Sequence, residues 1–447
     1  MASQHLPRKI NLLQASAINM IDMVGIGPFV VMPLVVSYFH NGLFLWAWIF
    51  GALTAFVDAM IWSELGAAYP LAGGTYNFLR IGYGDKWGKL MSFLFVWQTS
   101  IQAPLVVASG AIGFAQYLSY IVDLSFWQQK LVSGGLVIVV FLLLYRKIET
   151  IGKISVVLWI VVILTVAWII FSGLTHQQHS MQFLPTGNES FFSYAFWAAV
   201  GQGSVKTVYS YLGYYNVSHL GGEIKRPEKN IPKSIFISIA GIATLYLLMN
   251  MSVMSVISWQ EVKPDEKHLV SMFMERIYGH EAGVIVTVLI LWIALASLFA
   301  VVLGYSRVPY AAAVDGNFFK IFSRLHPAKN FPYLSLIFLC ALGFIFSLLF
   351  KLGQIIDSIL AMRILIQFIG QSIGLVLLRK RLGTSNLPFK MWLYPVPVIV
   401  TICIWLFLFV STGWFAVWGS LIAIIGVIAF YVSQYLKKNN HLETIEK

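Results

Sequence analysis

The fold of this chain is decided by the run Val24-Gly25-Ile26-Gly27-Pro28-Phe29, which lies inside an apolar stretch covering residues 11–38. A stretch of about 20 apolar residues is long enough to cross a lipid bilayer as a helix. Two glycines and a proline oppose a continuous helix here, because glycine loses more conformational entropy than other residues and proline lacks an N–H. The run therefore predicts a membrane span interrupted near its middle, where the unwound backbone must line a cavity or be buried in protein.

A second stretch of the same kind is Tyr209-Ser210-Tyr211-Leu212-Gly213-Tyr214, inside the run 191–220. A lone glycine in a membrane helix more often serves close packing, so this signal is the weaker of the two. Interruptions at corresponding places in two halves of a chain nevertheless indicate the central site of a transporter. Half-helix N-termini offer N–H groups to a carboxylate, and half-helix C-termini offer carbonyls to an ammonium.

The composition indicates a polytopic all-α membrane protein. Apolar residues make up 59% of the chain and charged residues only 11%, whereas soluble proteins carry about 25% charged residues. With so few charges, the chain could not cover a surface that faces water. We predict twelve transmembrane helices, at residues 11–38, 43–64, 89–118, 127–145, 152–173, 191–220, 233–258, 281–305, 333–350, 354–378, 394–411 and 413–435.

The distribution of basic residues predicts the orientation of these spans. With the N-terminus inside, 23 of the 30 lysines and arginines fall in cytoplasmic segments, 5 fall in external segments, and Lys206 and Arg363 lie within spans. This skew follows the positive-inside rule. We therefore expect a multi-pass protein of the cell membrane with both termini cytoplasmic. Residues 1–435 are predicted to form one transmembrane domain, and 436–447 a short cytoplasmic tail.

Several function classes find no support in the residues. The net charge of +12 is not gathered on a soluble face, so a nucleic-acid partner is not expected. The histidines lie in loops, tails or span ends without metal-ligand spacing, and the two cysteines, Cys340 and Cys403, lie within apolar runs. We therefore predict no enzyme activity, no metal and no cofactor. The sequence shows neither a filter loop nor rings of acidic residues, so it does not favour a channel.

Four motifs resemble those of the amino acid–polyamine–organocation (APC) superfamily, especially its L-type amino acid transporter branch, over roughly residues 10–435. Residues 25–29 resemble the family's Gly-Ser-Gly-Ile-Phe break. Residues 64–70 with 73–76 resemble its signature after helix 2, and residues 209–214 its break in helix 6. The most specific match is Gly222-Glu223-Ile224-Lys225-Arg226-Pro227-Glu228-Lys229-Asn230-Ile231-Pro232, which resembles the cytoplasmic Glu-(Ile/Val)-x-x-Pro-x-(Arg/Lys)-x-Ile-Pro signature.

The resemblance implies a LeuT-like 5+5 inverted repeat with broken helices 1 and 6. Its repeats would cover 11–173 and 191–379, and 394–435 would add helices 11 and 12. It also implies an amino acid site at mid-membrane and transport by alternating access. Three departures bear on function: Ile26 replaces a serine, Leu212 adds bulk, and Val162 stands where many relatives have lysine. The loop at about 119–126 lacks the cysteine of heteromeric relatives, so we expect no disulfide-linked subunit.

The candidate site residues lie at the interruptions and among the charges within spans. A charge at the bilayer centre costs about 2.5–3.5 kcal/mol or more, so each needs a reason. Asp22 is expected to border the substrate amine or take up a coupling proton, and Arg363 to pair with Asp22, Asp58 or Asp357. The predicted coupling or gating residues are Asp22, Lys206, Arg363 and Glu64. The predicted substrate-binding residues are Asp22, Gly25, Ile26, Gly27, Gln102, Tyr209, Ser210, Tyr211, Gly213, Tyr214 and Trp292.

The sequence predicts a secondary transporter of amino acids, as an exchanger or a proton-coupled symporter. Four tyrosines in 209–215 favour a neutral or aromatic substrate, whereas Asp22 favours a cationic amine or polyamine, so both substrate classes stay open. A sodium site formed by helix 1 carbonyls and helix 8 hydroxyls would need more than Ser297, which disfavours sodium coupling. A nutrient sensor built on a transporter scaffold is the remaining alternative.

Overall fold

The structure is a computed structural model that describes residues 6–184, 190–385 and 387–445. The side chains of residues 41, 353, 354, 356, 357 and 436–445 are not described. Two isolated bridges, Ile10 with Ile224 and Ala72 with Leu220, are the β-type pairings within these ranges. The rest is helix and connecting segments. The helices are α1 Leu12–Met23, α2 Gly27–Ser37, α3 Leu45–Ala68, α4 Thr75–Gly82, α5 Gly84–Leu118, α6 Phe126–Leu144, α7 Ile148–Thr175, α8 Tyr194–Tyr211, α9 Asn216–His219, α10 Pro227–Met254, α11 Leu269–Tyr278, α12 His280–Tyr305, α13 Arg307–Val314, α14 Tyr333–Leu349, α15 Leu352–Arg363, α16 Gln371–Leu382, α17 Val396–Ser411 and α18 Trp414–Ile445.

Within the described residues, eight helical segments are long and apolar enough to cross a membrane, and the bent pair α1 and α2 makes a ninth. Two more apolar helices, α14 and α17, are shorter, at 17 and 16 residues. The protein is therefore a multi-pass membrane protein. The eight segments are Gly42–Ala68, Gly84–Leu118, Phe126–Leu144, Ile148–Thr175, Pro227–Met254, His280–Val314, Ser358–Leu382 and Trp414–Tyr435.

The first predicted interruption is present in the structure. Helix α1 ends at Met23 and α2 begins at Gly27, and the two helices are bent by 46°. Proline in the first turn of a helix is favourable, because the N–H that it lacks would have no helical partner there. Pro28 therefore starts α2 and does not break it. The residues between the helices are held without a regular ladder, and the Gly25 N–H donates to the Met23 carbonyl at 3.0 Å.

The second interruption is also present. Helix α8 ends at Tyr211, residues 212–215 are non-helical, and α9 then covers only four residues. Gly213 has a backbone φ of +117°, a conformation that residues with a Cβ rarely adopt. Leu212 is extended, with a ψ of 146°. The glycine therefore allows the sharp change of direction at this point.

The helices that contain the interruptions lie at the centre of the molecule. Helix α1 packs against α7, α10 and α12, and α2 packs against α8. Helix α3 packs against both α8 and α10. Large buried side chains, including Trp48, Trp62 and Tyr246, fill the space behind the interruptions. The unwound segments are thus enclosed by protein, as unpaired backbone within a membrane must be.

The predicted last span, 413–435, corresponds to the apolar segment Trp414–Tyr435, and the backbone of α18 continues as a helix to Ile445. One feature differs from the sequence-based expectation. The predicted span 354–378 is not uniform, because residues Ile364–Gly370 between α15 and α16 form a π-helix. Such single-turn π segments inside α-helices occur frequently at functional sites.

Candidate functional site

A cavity lies between the two interruptions. The first interruption lines it with Asp22, Met23 and residues 25–28. The second lines it with Tyr209, Ser210, Leu212, Gly213 and Tyr215. The remaining wall comes from α5, α12 and α15 and includes Val106, Ser109, Ser297, Tyr305 and Arg363. Helices far apart in the chain therefore meet at the place where two of them are unwound.

Glycines allow the close packing of this wall. A Cβ on Gly25 would lie 2.6 Å from Ser297 Oγ, and a Cβ on Gly27 would lie 3.2 Å from the Tyr209 ring. The Tyr209 hydroxyl forms a 2.9 Å hydrogen bond with the Ser109 hydroxyl. The glycine backbone thus lies directly against Ser297 of α12 and Tyr209 of α8, and Ser109 of α5 holds the Tyr209 hydroxyl.

Backbone N–H groups at the start of α2 are uncommitted. The N–H groups of Ile26, Gly27 and Phe29 make no hydrogen bond with the backbone of any other described segment. Within α2 they have no acceptor either, because the first N–H groups of a helix have no carbonyl one turn before them. Pro28 has no N–H. Together with the positive end of the α2 dipole, these groups form a site suited to a carboxylate.

The C-terminal ends of α1 and α8 also border the cavity, through Met23, Tyr209 and Ser210. Tyr246 of α10 joins them, because its hydroxyl lies 2.6 Å from the Met23 carbonyl and 3.2 Å from the Ser210 carbonyl. A hydroxyl has one hydrogen, so one of these carbonyls accepts at a time. Tyr246 therefore holds the two interruptions together from behind.

Asp22 is the acidic residue of the cavity in the described part of the chain. It is held by Asn216, the first residue of α9, directly after the second interruption. The Asn216 side-chain amide donates 2.7 Å hydrogen bonds to Asp22 Oδ2 and to the Ala300 carbonyl of α12. The Ser297 hydroxyl donates to the Asp22 carbonyl at 3.3 Å. Asn216 thus fixes the Asp22 carboxylate between both interruptions and α12.

Arg363 is the basic residue of the cavity and is only 2% exposed. Its Nη1 donates to the Tyr215 hydroxyl at 2.6 Å, and its guanidinium lies 5.3 Å from the centre of the Tyr305 ring. No ion pair within 4 Å joins Arg363 to Asp22 or Asp58 in the described part of the chain. The Asp357 side chain, the third predicted partner, lies outside the described residues.

The structure separates the predicted substrate-binding residues into two groups. Asp22, Gly25, Ile26, Gly27, Tyr209, Ser210 and Gly213 line the cavity. Tyr211, Tyr214, Gln102 and Trp292 do not. Tyr211 packs against Trp48 and Tyr246 instead, and Gln102 is fully buried in α5.

Tyr214 belongs to a separate polar cluster behind the cavity. Its hydroxyl donates to Asp58 Oδ2, which also accepts from Trp62 Nε1 at 2.7 Å. The Trp405 indole N–H approaches Asp58 Oδ1 at 3.4 Å. Three neutral donors thus converge on a buried carboxylate and connect the second interruption to α3 and α17.

The other predicted gating residues lie away from the cavity. Lys206 is half-buried in α8, one turn before Ser210, whose hydroxyl donates to its carbonyl at 3.3 Å. Glu64 is buried at the end of α3, where Arg379 donates to both of its oxygens and the Met391 N–H donates at 2.7 Å. Glu64 therefore ties α3 to α16 and to the segment before α17.

A second buried ion pair lies at the same end of the molecule. Arg307 binds Glu223 with two parallel hydrogen bonds of 3.0 and 2.9 Å, and these side chains are 2% and 0% exposed. The Glu223 carbonyl accepts from the Lys9 and Ile10 N–H groups at 2.9 and 3.0 Å. The 222–232 motif thus links the chain before α1 to the start of α13.

Sequence reasoning missed Asn216, Tyr246 and Tyr305, and it used Tyr215 only as one of the four tyrosines in 209–215. Asn216 and Tyr215 stand within a few residues of Gly213, so the interruption itself pointed to their neighbourhood. Tyr246 and Tyr305 lie in long apolar runs that carry no local signal. Their contacts depend on the packing of distant helices.

Comparison with known proteins identifies the family. The profile of the family described as Amino acid permease matches residues 10–432. The chain is 28% identical to the uncharacterized amino acid permease YecA of Bacillus subtilis over 330 residues, which cover 73% of this chain and 74% of YecA. It is 26% identical to the serine/threonine exchanger SteT of the same organism, with 89% of each chain covered. It is 25% identical to the human cystine/glutamate transporter over 96% of this chain and 85% of that protein. This chain therefore belongs to the amino acid permease family of the APC superfamily, whose members are transporters and not enzymes.

Proposed function

We propose that this amino acid permease binds one amino acid between its two interrupted helices and carries it across the membrane by alternating access. The observation that supports this most directly is the cavity between the interruptions. The start of α2, with its uncommitted N–H groups, and the C-terminal ends of α1 and α8 all contribute residues to its lining. A zwitterion satisfies both kinds of group at once.

We also propose the architecture of twelve spans with a LeuT-like 5+5 inverted repeat. The apolar helices α14 and α17 and the interrupted pair α8 and α9 bring the nine apolar spans to twelve. The interruptions then fall in the first helix of each half. The skew of basic residues supports cytoplasmic termini. Because Cys340 and Cys403 both lie within helices, we propose no disulfide-linked subunit.

The cavity favours an amino acid with a neutral side chain. Its described lining includes one acid, Asp22, and one base, Arg363, which interact electrostatically, so this part of the wall has no excess of negative charge. Val106, Leu298 and Ile359 supply apolar wall, and Tyr209 and Tyr305 supply aromatic rings. The cationic amine alternative is weaker, because it needs Asp22 to act without an opposing cation. Relatives named for serine and threonine exchange and for branched-chain amino acids agree with a neutral substrate.

Asp22 is the proposed coupling residue. It is the one carboxylate that lines the cavity in the described part of the chain, and it contacts Asn216 of the second interruption. A group that touches both moving segments is well placed to link proton uptake to substrate binding. If the transport is proton-coupled, Asp22→Asn will abolish accumulation driven by a pH gradient and leave exchange at equal pH measurable. A variant that still accumulates substrate under a pH gradient would exclude Asp22 from coupling.

Reconstituted transport tests the whole proposal. Purified protein in liposomes is loaded with each amino acid in turn, and uptake of labelled substrate is measured with and without a pH gradient. We expect uptake of neutral amino acids that saturates and that is raised by internal substrate or by a pH gradient. Equal, non-saturating uptake of every amino acid and amine would contradict it.

A further inference from the structure

Arg363 occupies an unusual position for a cation within a membrane protein. It is the last residue of α15, directly before the π-helix Ile364–Gly370. Its side chain is 2% exposed and lines the cavity together with Asp22, Gly213 and Tyr215. A charge at this depth costs free energy unless a partner compensates it, so its hydrogen bonds need to be accounted for.

The protein satisfies only part of the guanidinium. A guanidinium presents a fork of N–H donors. Nη1 donates to the neutral hydroxyl of Tyr215, whereas the buried Nε makes no hydrogen bond with any described residue. Asp22 acts on Arg363 electrostatically, but no described carboxylate lies within 4 Å of it. Tyr305 contributes a ring at 5.3 Å, which is a weak compensation for a buried cation.

Two other buried arginines of the same chain have their charge and their hydrogen-bond donors paired with a carboxylate. Arg307 binds both oxygens of Glu223, and Arg379 binds both oxygens of Glu64. Each of these guanidinium groups therefore has a carboxylate in a forked arrangement. Arg363 is similarly buried and has no such group among the side chains that the structure describes, and it differs from them in lining the cavity.

We infer that Arg363 binds a carboxylate of the transported amino acid. The inference rests on the proposed function, because it places that amino acid in the cavity between the interruptions. The carboxylate belongs either to the backbone part of the substrate, as in every amino acid, or to the side chain of an acidic one. In both cases Arg363 contributes to specificity, because a cargo amine without a carboxylate leaves the cation unpaired.

A purely structural role would predict different behaviour. As a tether for Tyr215, the arginine needs only the Nη1–hydroxyl bond, and Tyr215→Phe would remove that bond while keeping the cation. A carboxylate-binding role instead needs the charge and its forked geometry. Arg363→Lys keeps the charge and loses the fork, and Arg363→Gln loses both.

Ligand-induced thermal stabilisation of the purified full-length protein tests the inference. The probes are L-leucine, L-serine, L-glutamate and isoamylamine, which is leucine without its carboxylate. The variants are Arg363→Gln, Arg363→Lys and Tyr215→Phe, and labelled uptake into liposomes is measured in parallel. We expect the wild type to bind at least one of the amino acids and to bind isoamylamine far more weakly than leucine.

The pattern of losses distinguishes the two carboxylates. If Arg363 holds the backbone carboxylate, Arg363→Gln will lower the affinity for every amino acid by about 10-fold to 100-fold. Arg363→Lys will recover part of this affinity. If Arg363 holds a side-chain carboxylate, Arg363→Gln will lower the affinity for glutamate alone. In both cases Tyr215→Phe will weaken binding less than Arg363→Gln.

Three results would overturn the inference. If the Arg363→Gln variant binds all probes as tightly as the wild type, the arginine takes no part in substrate recognition. Equal losses in Arg363→Gln and Tyr215→Phe would assign it a structural role. Isoamylamine bound as tightly as leucine would remove the need for a carboxylate. Failure of the wild type to bind or transport any amino acid would instead refute the proposed function.

Discussion

Gly213 shows how one residue controls the second interruption. Its φ of +117° is strained for any residue with a Cβ, and that Cβ would lie 2.8 Å from Asp22 Cγ and 2.9 Å from the Asp22 carbonyl carbon. The left-handed region alone costs a residue with a Cβ about 1–2 kcal/mol. The collision adds to this cost, because Asp22 is part of the first interruption and cannot move away without disturbing it.

We therefore predict that Gly213→Ala abolishes transport. Gly279→Ala is the matched control, because Gly279 also has a positive φ, of +89°, but has nothing within 4 Å of a Cβ. Both variants should lose about 1–2 kcal/mol of stability from backbone strain, and only Gly213→Ala should lose uptake in liposomes. Normal transport by Gly213→Ala would show that contact between Gly213 and Asp22 is not needed.

Tyr246 provides a second test at the residue scale. We predict that Tyr246→Phe lowers thermal stability and transport, because the Met23 carbonyl keeps only the Gly25 N–H as donor and the Ser210 carbonyl loses the hydroxyl, at a cost of about 0.5–1.5 kcal/mol. Tyr211→Phe is the comparison. Tyr211 packs against the same ring, but its hydroxyl makes no hydrogen bond with described residues. Equal loss of stability in both variants would assign the effect to the space that a buried hydroxyl fills and not to the hydrogen bonds of Tyr246.

The residues of the site differ in how far the sequence predicted them. Gly25, Pro28 and Gly213 act through local backbone conformation, which is a property of the residue itself, so both interruptions were predicted at the correct positions. Asn216 and Tyr246 act through contacts with residues about 190 and 220 positions away in the chain. Of the three predicted partners of Arg363, Asp22 and Asp58 form no ion pair with it among the described residues, because its neighbours are set by how α8, α12 and α15 pack, and the pair with Asp357 stays a prediction. Sequence alone could show that a buried arginine needs a partner, but not that a tyrosine would be the one.

At the scale of elements, the 222–232 motif is a structural connection. The family resemblance predicted only that it lies on the cytoplasmic side. In the structure, Glu223 joins the segment before α1 to α13 by backbone hydrogen bonds and by the buried pair with Arg307. This connection fixes the chain directly before the interrupted helix α1, which lines the cavity at its other end.

We predict that removing one partner of this pair is severely destabilising. Arg307→Ala or Glu223→Ala leaves an uncompensated buried charge, which costs about 3–5 kcal/mol. The melting temperature of the purified protein in detergent measures the loss. The double variant Glu223→Arg with Arg307→Glu should recover part of it. If either single variant melts like the wild type, the pair contributes little to the stability of this part of the fold.

The pair of Glu261 with Arg276 is the matched control. Its side chains are 46% and 38% exposed, so its removal should cost no more than about 1 kcal/mol. The hydrogen bond from Arg276 lowers the pKa of the Glu261 carboxyl from its ordinary value of 4.5. A lowered pKa means that this small contribution is present above pH 4.5 and is lost as the pH falls below it. Melting temperatures between pH 7 and pH 4 should therefore converge for wild type and Glu261→Gln at the acidic end.

At the scale of the whole molecule, the number of crossings decides which face each loop occupies. Nine apolar spans are evident by length and hydropathy, whereas the proposed topology needs twelve. The interrupted pair α8 and α9 is the critical case, because α8 is polar for a span and α9 has only four residues. If that pair does not cross, every loop after it changes side. The basic residues favour crossing, because the alternation that places 23 of them inside requires it.

Cysteine accessibility can settle this point. In a background with Cys340 and Cys403 replaced by alanine, single cysteines are placed at the exposed positions Asp123, Asp265 and Lys320. The twelve-span topology puts four crossings between Asp123 and Asp265 and one more before Lys320. We therefore predict that a membrane-impermeant maleimide labels the cysteines at 123 and 265 in intact cells, and labels the one at 320 only after permeabilisation. Labelling of 123 and 320 without 265 would mean that α8 and α9 do not cross the membrane together. The cavity would then not lie between two interrupted spans, and the carboxylate and ammonium groups of a substrate would have no shared site at mid-membrane.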